Sequence, residues 1–460
     1  MIHSRHVAVL LGVAIGFTSP SVGLTQTVPL VAQATAAEAV EQGIREINNR
    51  DYDDAIADFD RAIQLDPGYA SAYFYRGYAR MESGDTQGAI ADLDQAIQLD
   101  SSLAEAYFNR GVAYARLGDN QTAIADFNRA IALSPDNAPA HLHRGIAQLQ
   151  LGDQSGAMRN FEQAIQLQPD YAAAHLYAGV VQSSLGNREM AIASFDRAIQ
   201  NNPDYAEAYL NRGVTRYALG DLPGATADLD QAIRLNSDSA TAYFNRGVLR
   251  FRQNDRQGAL SDLDRAIRLQ PDYASALFNR ALVNMSLGDR QSAIADLNQA
   301  IAIDPTSPEA YMRRGDVRLQ LGRTDEAIAD YSQAIALQPN YSDAYTARAN
   351  ARLNQGDSTG AKDDYTQAIL LNADDAEALS GRGTIFFNQG EMQAAMADYN
   401  EAIRLNPQDA IAFHNRGLIR ANQGDRQGAI ADLRQAADLY LQINNAEGYR
   451  TILNQLQSLQ

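Results

Sequence analysis

The sequence predicts an all-α solenoid built from antiparallel helix pairs. Three observations carry that expectation. A 34-residue period runs through the chain without insertion or deletion. Small residues recur at fixed helical spacing inside it. A turn residue suited to left-handed backbone marks the middle of nearly every period.

The period is read from a glycine followed by an acid or amide: Gly84-Asp85, Gly118-Asp119, Gly152-Asp153, Gly186-Asn187 and Gly220-Asp221. After Asn254-Asp255 it resumes at Gly288 and continues to Gly424-Asp425, every step equal to that from Gly84 to Gly118. Placing this glycine at position 15 of each repeat gives twelve repeats over residues 36–443. Position 8 is glycine or alanine from Gly43 to Gly417. Positions 20 and 27 are alanine throughout, from Ala55 to Ala429 and from Ala62 to Ala436. Glycine within a helix costs about 1 kcal/mol against alanine, so its recurrence implies close helix approach. Position 24 is always large: Phe59, Leu93, Phe127, Phe161, Phe195, Leu229 and onward to Tyr399 and Leu433. Position 16 is mostly aspartate or asparagine, fit to cap the following helix. Position 32 is proline in eight repeats, Pro67, Pro135, Pro203 and Pro407 among them, and closes the second helix. Each repeat therefore reads helix, tight turn, helix, short turn. Helices of four turns at most do not persist alone, so stacking must bury their apolar stripe.

These positions resemble the tetratricopeptide repeat, with its W-x2-L-G-x2-Y, A-x3-F and A…P pattern on the same period. The resemblance implies a right-handed superhelix whose first helices line a concave groove. Two departures stand out. Tyr73, Tyr107, His141, His175, Tyr209 and Tyr243 fill the tryptophan position, and arginine fills the leucine position.

That arginine is position 7: Arg76, Arg110, Arg144, then Ala178, then Arg212 through Arg416. Position 23, one turn from the two alanine positions, is aspartate in ten of twelve repeats, and the repeat with Ala178 also lacks it, at Ser194. A charge near a helix interface must be paired. The two positions are thus expected to form a structural ion-pair ladder rather than a basic binding surface. Arg246→Ala is expected to strand an aspartate. Asp363-Asp364 reads as one surface acid and one member of this ladder.

Binding is expected in the groove, at positions 2, 5, 6, 9, 12 and 13. Position 6 carries Asn211, Asn245 and Asn279 in three consecutive repeats. A side-chain amide both donates and accepts, so such a row can read the backbone of an extended peptide, in the manner of an asparagine ladder known in this family. Phe244, Phe278, Tyr217, Phe251 and Met285 surround it, although position 5 aromatics serve equally to pack neighbouring repeats. The lysines of the carboxylate clamp are missing at positions 2 and 5, so acidic C-terminal tails are not expected ligands.

Composition bounds the function. Formal charge is −18, and Lys362 is the single lysine. A chain this acidic is a poor partner for nucleic acid. Cysteine is absent, which removes disulfides and thiolate chemistry. No phosphate loop, nucleophile elbow or helix-borne zinc motif occurs. His141 and His143 fall on different helix faces, and His141 and His175 occupy a packing position. The chain reads as a non-enzymatic scaffold for a protein or peptide partner, with no metal and no cofactor. A cell-envelope carbohydrate or polymer assembly factor is the alternative, since groove aromatics also stack on sugars.

Residues 1–34 contain no acid. His3, Arg5 and His6 precede an apolar run over 7–17, then Pro20 and small residues. This is the layout of a secretory signal peptide, cleaved after Ala34 (Ala32-Gln33-Ala34) or near Gly23. An apolar run this short falls below the roughly 20 residues that span a bilayer. The mature chain is expected to be exported, periplasmic or secreted, without an integral membrane span. Residues 24–35 are expected to form an unstructured leader, and 444–460 a capping helix with Tyr449, Ile452, Leu453 and Leu456 on one face.

Overall fold

The computed structural model describes residues 30–459, with side chains from Thr35 onward. The described residues are helical apart from short turns, and 24 of the helices form twelve consecutive antiparallel pairs. The first pair is Leu30–Asn49 and Tyr52–Leu65, and the last is Ala410–Asn422 and Arg426–Gln442. Between the two ends helix length is nearly uniform, as in Ala70–Ser83 and Ala104–Arg116. The chain divides into two compact bodies, one ending at Pro203 and one beginning at Asp204. Within each body a helix packs on its successor, and first helices of adjacent repeats also touch.

The predicted signal segment lies outside the described residues except for 30–34, which are already helical. Residues 30–35 are thus not an unstructured leader. The first helix extends backward past the start of the first repeat, where Ala36, Ala39 and Val40 are buried. No helix among the described residues is long and apolar enough to cross a membrane.

Turn chemistry behaves as the sequence implies. Ten glycines at position 15 have positive φ, as does Asn254 at 66°. Arg50, the same position of the first repeat, adopts φ 67° without a glycine. Aspartate at position 16 caps the second helix in most repeats, with Asp85 accepting from the Gly88 amide and Asp425 from Gly428. The closing helix Ala446–Ser458 covers the last pair. Ile452 is buried against Leu433 and Ala436, with Tyr449, Leu456 and Leu459 around it. Leu453, expected on the same face, is exposed instead. Leu456, also expected on that face, does pack there.

The position-8 glycines explain their own recurrence. A Cβ on Gly145 would stand 2.6 Å from Phe161 Cε1 and 3.1 Å from the Ala157 carbonyl oxygen. Phe161 and its counterparts Phe59, Phe127 and Phe195 are fully buried. The position-24 ring fills the gap that the missing side chain leaves, which is how two short helices bury enough apolar surface.

Candidate ligand-binding face

The arginines of position 7 are committed to the fold. Arg110 binds Asp126 of its own repeat through Nε and Nη2, at 2.8 and 2.7 Å. Its third nitrogen, Nη1, reaches back to Asp94 of the preceding repeat at 2.6 Å. Arg246 repeats this with Asp262 and, at 2.7 Å, Asp230. The planar fork suits such a three-way junction in a way that an ammonium does not. The tryptophan-position rings complete it. Tyr107 lies 5.5 Å from the Arg110 guanidinium and Tyr243 5.5 Å from Arg246.

A second arginine, at position 11, was not read from the sequence. Arg80, Arg216, Arg250, Arg318, Arg352 and Arg420 each contact the same buried aspartate from the next helical turn, Arg250 reaching Asp262 at 2.9 Å. Asp262 therefore keeps a cation when Arg246 is removed, and Arg246→Ala does not strand it. The alternation of position 11 between arginine and Tyr114, Gln148, Gln182 or Asn284 was the available signal. Asp364 accepts from Arg348 and Arg352, while Asp363 is exposed.

Repeats 4 and 5 lack the buried carboxylate, with Asn160 and Ser194 in its place. Arg144 donates through Nε and Nη2 to the single Asn160 oxygen, at 2.9 and 2.7 Å. Burial, with no carboxylate to offset it, lowers its pKa, whereas the Asp126 hydrogen bond raises that of Arg110 over the cost of burial. In the next repeat Ala178 stands in place of the arginine, and Ser194 donates to Gln182 at 2.7 Å.

The histidines belong to the packing. His141 Nε2 lies 3.2 Å from the Pro135 carbonyl oxygen, and His175 Nε2 lies 2.9 Å from that of Pro169. His143 sits between Phe108 and Phe127 at 5.3 and 6.0 Å. Burial, reinforced by Arg116, pushes its pKa down to about 4. The unfolded chain, at about 6.5, takes up the proton first. The stability due to neutral His143 is thus whole above pH 6.5 and is lost as pH falls toward 4, by up to about 3 kcal/mol. The pH dependence of the opening free energy that hydrogen exchange reads in the flanking helices should flatten over that window in His143→Tyr, the residue that repeats 2 and 5 carry there.

The expected binding residues all lie in the second body. Asn211, Asn245 and Asn279 occupy the same place on three successive first helices. Each donates one amide hydrogen, at 2.8 Å, to the carbonyl four residues earlier: Glu207, Thr241 and Ser275. The oxygen and second N–H of each amide are not used in that bond. The aromatics are more structural than expected. Phe244 packs on Tyr273 at 5.0 Å between centroids, and Phe244 and Phe251 lean on the Leu263 cluster. Phe278 and Met285 lean on the cluster around Leu297. Tyr217 carries the Arg252 guanidinium at 5.2 Å. All five are half-buried. A cleft that sequence reading missed opens one repeat further on, between Met312 and Glu377.

Helix pairs in register, with their strongest charges spent on holding neighbours together, define a helical repeat scaffold. Models of one family match most of the chain. That described as TPR repeat matches residues 50–84, 77–118, 183–220, 215–254 and 315–356. Those described as tetratricopeptide repeat match 104–137, 138–171, 248–314 and 346–410. The chain belongs to the tetratricopeptide repeat family and is a scaffold of the protein-interaction type. Among solved structures it is similar to the APC/C hetero-tetramer Cut9–Hcn1, at 14% identity over 93% of this chain and 97% of that one, with TM-score 0.50. It is also similar to a tetratricopeptide repeat protein from Parabacteroides merdae, at 19% identity, 54% and 99% coverage and TM-score 0.45. Yeast Tom70 matches at 18% identity, 92% and 95% coverage and TM-score 0.37. These likenesses are of fold alone. No curated protein matches the chain.

Proposed function

We propose that the chain holds an extended segment of a partner protein against the face formed by its first helices. The supporting observation is the row of Asn211, Asn245 and Asn279. Each side chain is oriented by its own helix while retaining a donor and an acceptor. A ligand backbone presents those complements at regular intervals, whatever its sequence. The half-buried rings of Tyr217, Phe251, Phe244 and Phe278, with Met285, give apolar contact beside the row.

Changing the three asparagines together to alanine is expected to weaken peptide-array binding by about 1 kcal/mol per lost bond, with helix content unchanged. Full binding by the triple variant rejects the row as the reading element. Binding to glycan arrays but not to peptides would instead favour a role in envelope polymer assembly.

We read the chain as exported, because residues 1–34 combine an acid-free start, a short apolar run and small-residue cleavage motifs. Amino-terminal sequencing of protein from a periplasmic fraction should begin just after residue 34 or near residue 23. An intact first methionine there counts against this.

A further inference from the structure

Repeats 9–11, residues 308–409, break the pattern in a concerted way. Position 9 is aliphatic from Val112 through Leu282 and again at Leu418, but here it is Asp316, Asn350 and Thr384. Position 24 changes with it: Tyr331, Tyr365 and Tyr399 replace the phenylalanine or leucine of the other repeats. The two changes meet in space. Tyr331 donates to Asp316 Oδ1 at 3.1 Å, Tyr365 to Asn350 Oδ1 at 2.5 Å, and Tyr399 to Thr384 Oγ1 at 3.2 Å.

Position 6 adds the space. In repeats 2 and 5 a ring at this position covers the position-24 ring of the preceding repeat. Tyr75 stacks on Phe59 at 5.9 Å, and Tyr177 on Phe161 at 5.7 Å. Repeats 10 and 11 carry Ala347 and Gly381 instead. The Tyr365 ring occupies the room that a Gly381 side chain would need. Tyr331 is itself fully buried, and beside it, where Ala347 stands in place of a ring, lies a cleft of about 490 Å3 lined by residues from Met312 to Glu377.

The cleft is polar and one-sided in charge. Asp316, Asp343, Asp374, Asp375 and Glu377 line it, and no arginine or lysine is among the described lining residues. Two of these carboxylates are held in place from within: Asp375 accepts from Thr346 at 2.7 Å, and Glu377 from Asn350 at 2.7 Å. Arg313 reaches Asp316 from outside the lining at 3.2 Å, and Arg404 approaches Asp374 at 4.0 Å. Burial raises the Asp316 pKa against the opposing effect of Arg313, so a further cation beside it is favourable.

We propose that this cleft receives a lysine or arginine side chain from an extended segment of a partner protein. Asp316, Asp343 and Glu377 meet its charge, and the buried Tyr331 holds Asp316 in place from beneath. The inference rests on the reading that the first-helix face holds a partner segment, and it gives that segment a basic residue opposite repeats 9 and 10. Charge-assisted bonds in a preformed cleft would both strengthen and orient such a segment.

The test uses the full chain and fluorescein-labelled twelve-residue peptides in a Gly-Ser-Ala background, carrying arginine, glutamate or neither. The arginine set is expected to bind best. Ala347→Tyr puts into the cleft the ring that Tyr75 and Tyr177 carry at this position elsewhere, and it should weaken that binding roughly tenfold or more without changing net charge. Asp316→Asn/Asp343→Asn/Glu377→Gln should do the same. The charge-matched variant Asp170→Asn/Asp238→Asn/Asp272→Asn should bind as the parent does. Equal loss in that control, or no loss with Ala347→Tyr, overturns the cleft as the site and leaves only attraction to an acidic chain. Preference for glutamate peptides overturns it too, as does binding of chitosan oligomers without arginine peptides. If the asparagine triple variant loses array binding while arginine peptides ignore the cleft variants, the cleft inference fails and the scaffold reading stands. If no peptide set binds, both fail.

Discussion

Arg110→Ala is expected to destabilise the helices around repeat 3 by about 3–5 kcal/mol, the cost of removing one member of a buried pair. The Arg110 side chain is 20% exposed and that of Asp126 is 7% exposed. Arg110 donates to both oxygens of the Asp126 carboxylate, and the position-11 residue here is Tyr114 rather than a second arginine. Asp94 loses its cross-repeat partner in the same step, though it is 42% exposed and water can replace the arginine. Arg246→Ala should cost less, because Arg250 still holds Asp262 at 2.9 Å. Unfolding of a repeat array is not all-or-none, so the comparison belongs in hydrogen exchange of the helices flanking each site. Equal loss of protection in the two variants would contradict the role given to Arg250. Unchanged protection in Arg110→Ala would contradict the ion-pair account as a whole.

The second large effect is Phe161→Ala, expected to cost about 3–5 kcal/mol by leaving a void over Gly145 and Tyr177. The ring is fully buried and stacks on Tyr177 at 5.7 Å. Filling the void from the other side is informative. Gly145→Ala alone should cost about 1–3 kcal/mol, since its Cβ meets the Phe161 ring and the Ala157 backbone. Its better helix propensity, about 1 kcal/mol, offsets part of this. Combined with Phe161→Leu it recreates the alanine and leucine that repeat 8 uses, Ala281 and Leu297, both fully buried. The pair should therefore be less destabilising than the sum of its parts, as a double-mutant cycle on hydrogen-exchange protection of the flanking helices would read. Simple additivity would mean that positions 8 and 24 do not share one packing volume.

The helices were legible because their determinants are local and repeated. Alanine at positions 20 and 27, a left-handed turn residue and a cap each act within one repeat, and repetition averages out exceptions. Arg50 shows where that stops: its φ is 67°, with no glycine to announce the left-handed turn. The ion pairs were half legible. Position 23 asked for a partner and position 7 supplied one, but the shared use of Asp262 by Arg246 and Arg250 depends on where two guanidinium forks converge. The asparagine row is placed in register, yet much of its aromatic surround is given to packing. Phe244 on Tyr273 is the clearest case. The cleft at Tyr331 was visible as a joint change at positions 9 and 24. It was missed because reading position 24 as merely large hides the hydroxyl that makes tyrosine different from phenylalanine.

The reach of each position-7 arginine also bears on how such a chain can grow. Arg246 takes one carboxylate from its own repeat and one from the repeat before. A one-repeat cassette copied in tandem from this region therefore arrives with both halves of the junction, the acceptor at its end and the donor near its beginning. Lengthening by duplication needs no compensating change there. A cassette taken from repeat 5 brings Ala178 and Ser194 instead and would leave a seam without the clamp. The lattice of charges is thus a rule of compatibility between successive copies, written into every copy that carries it.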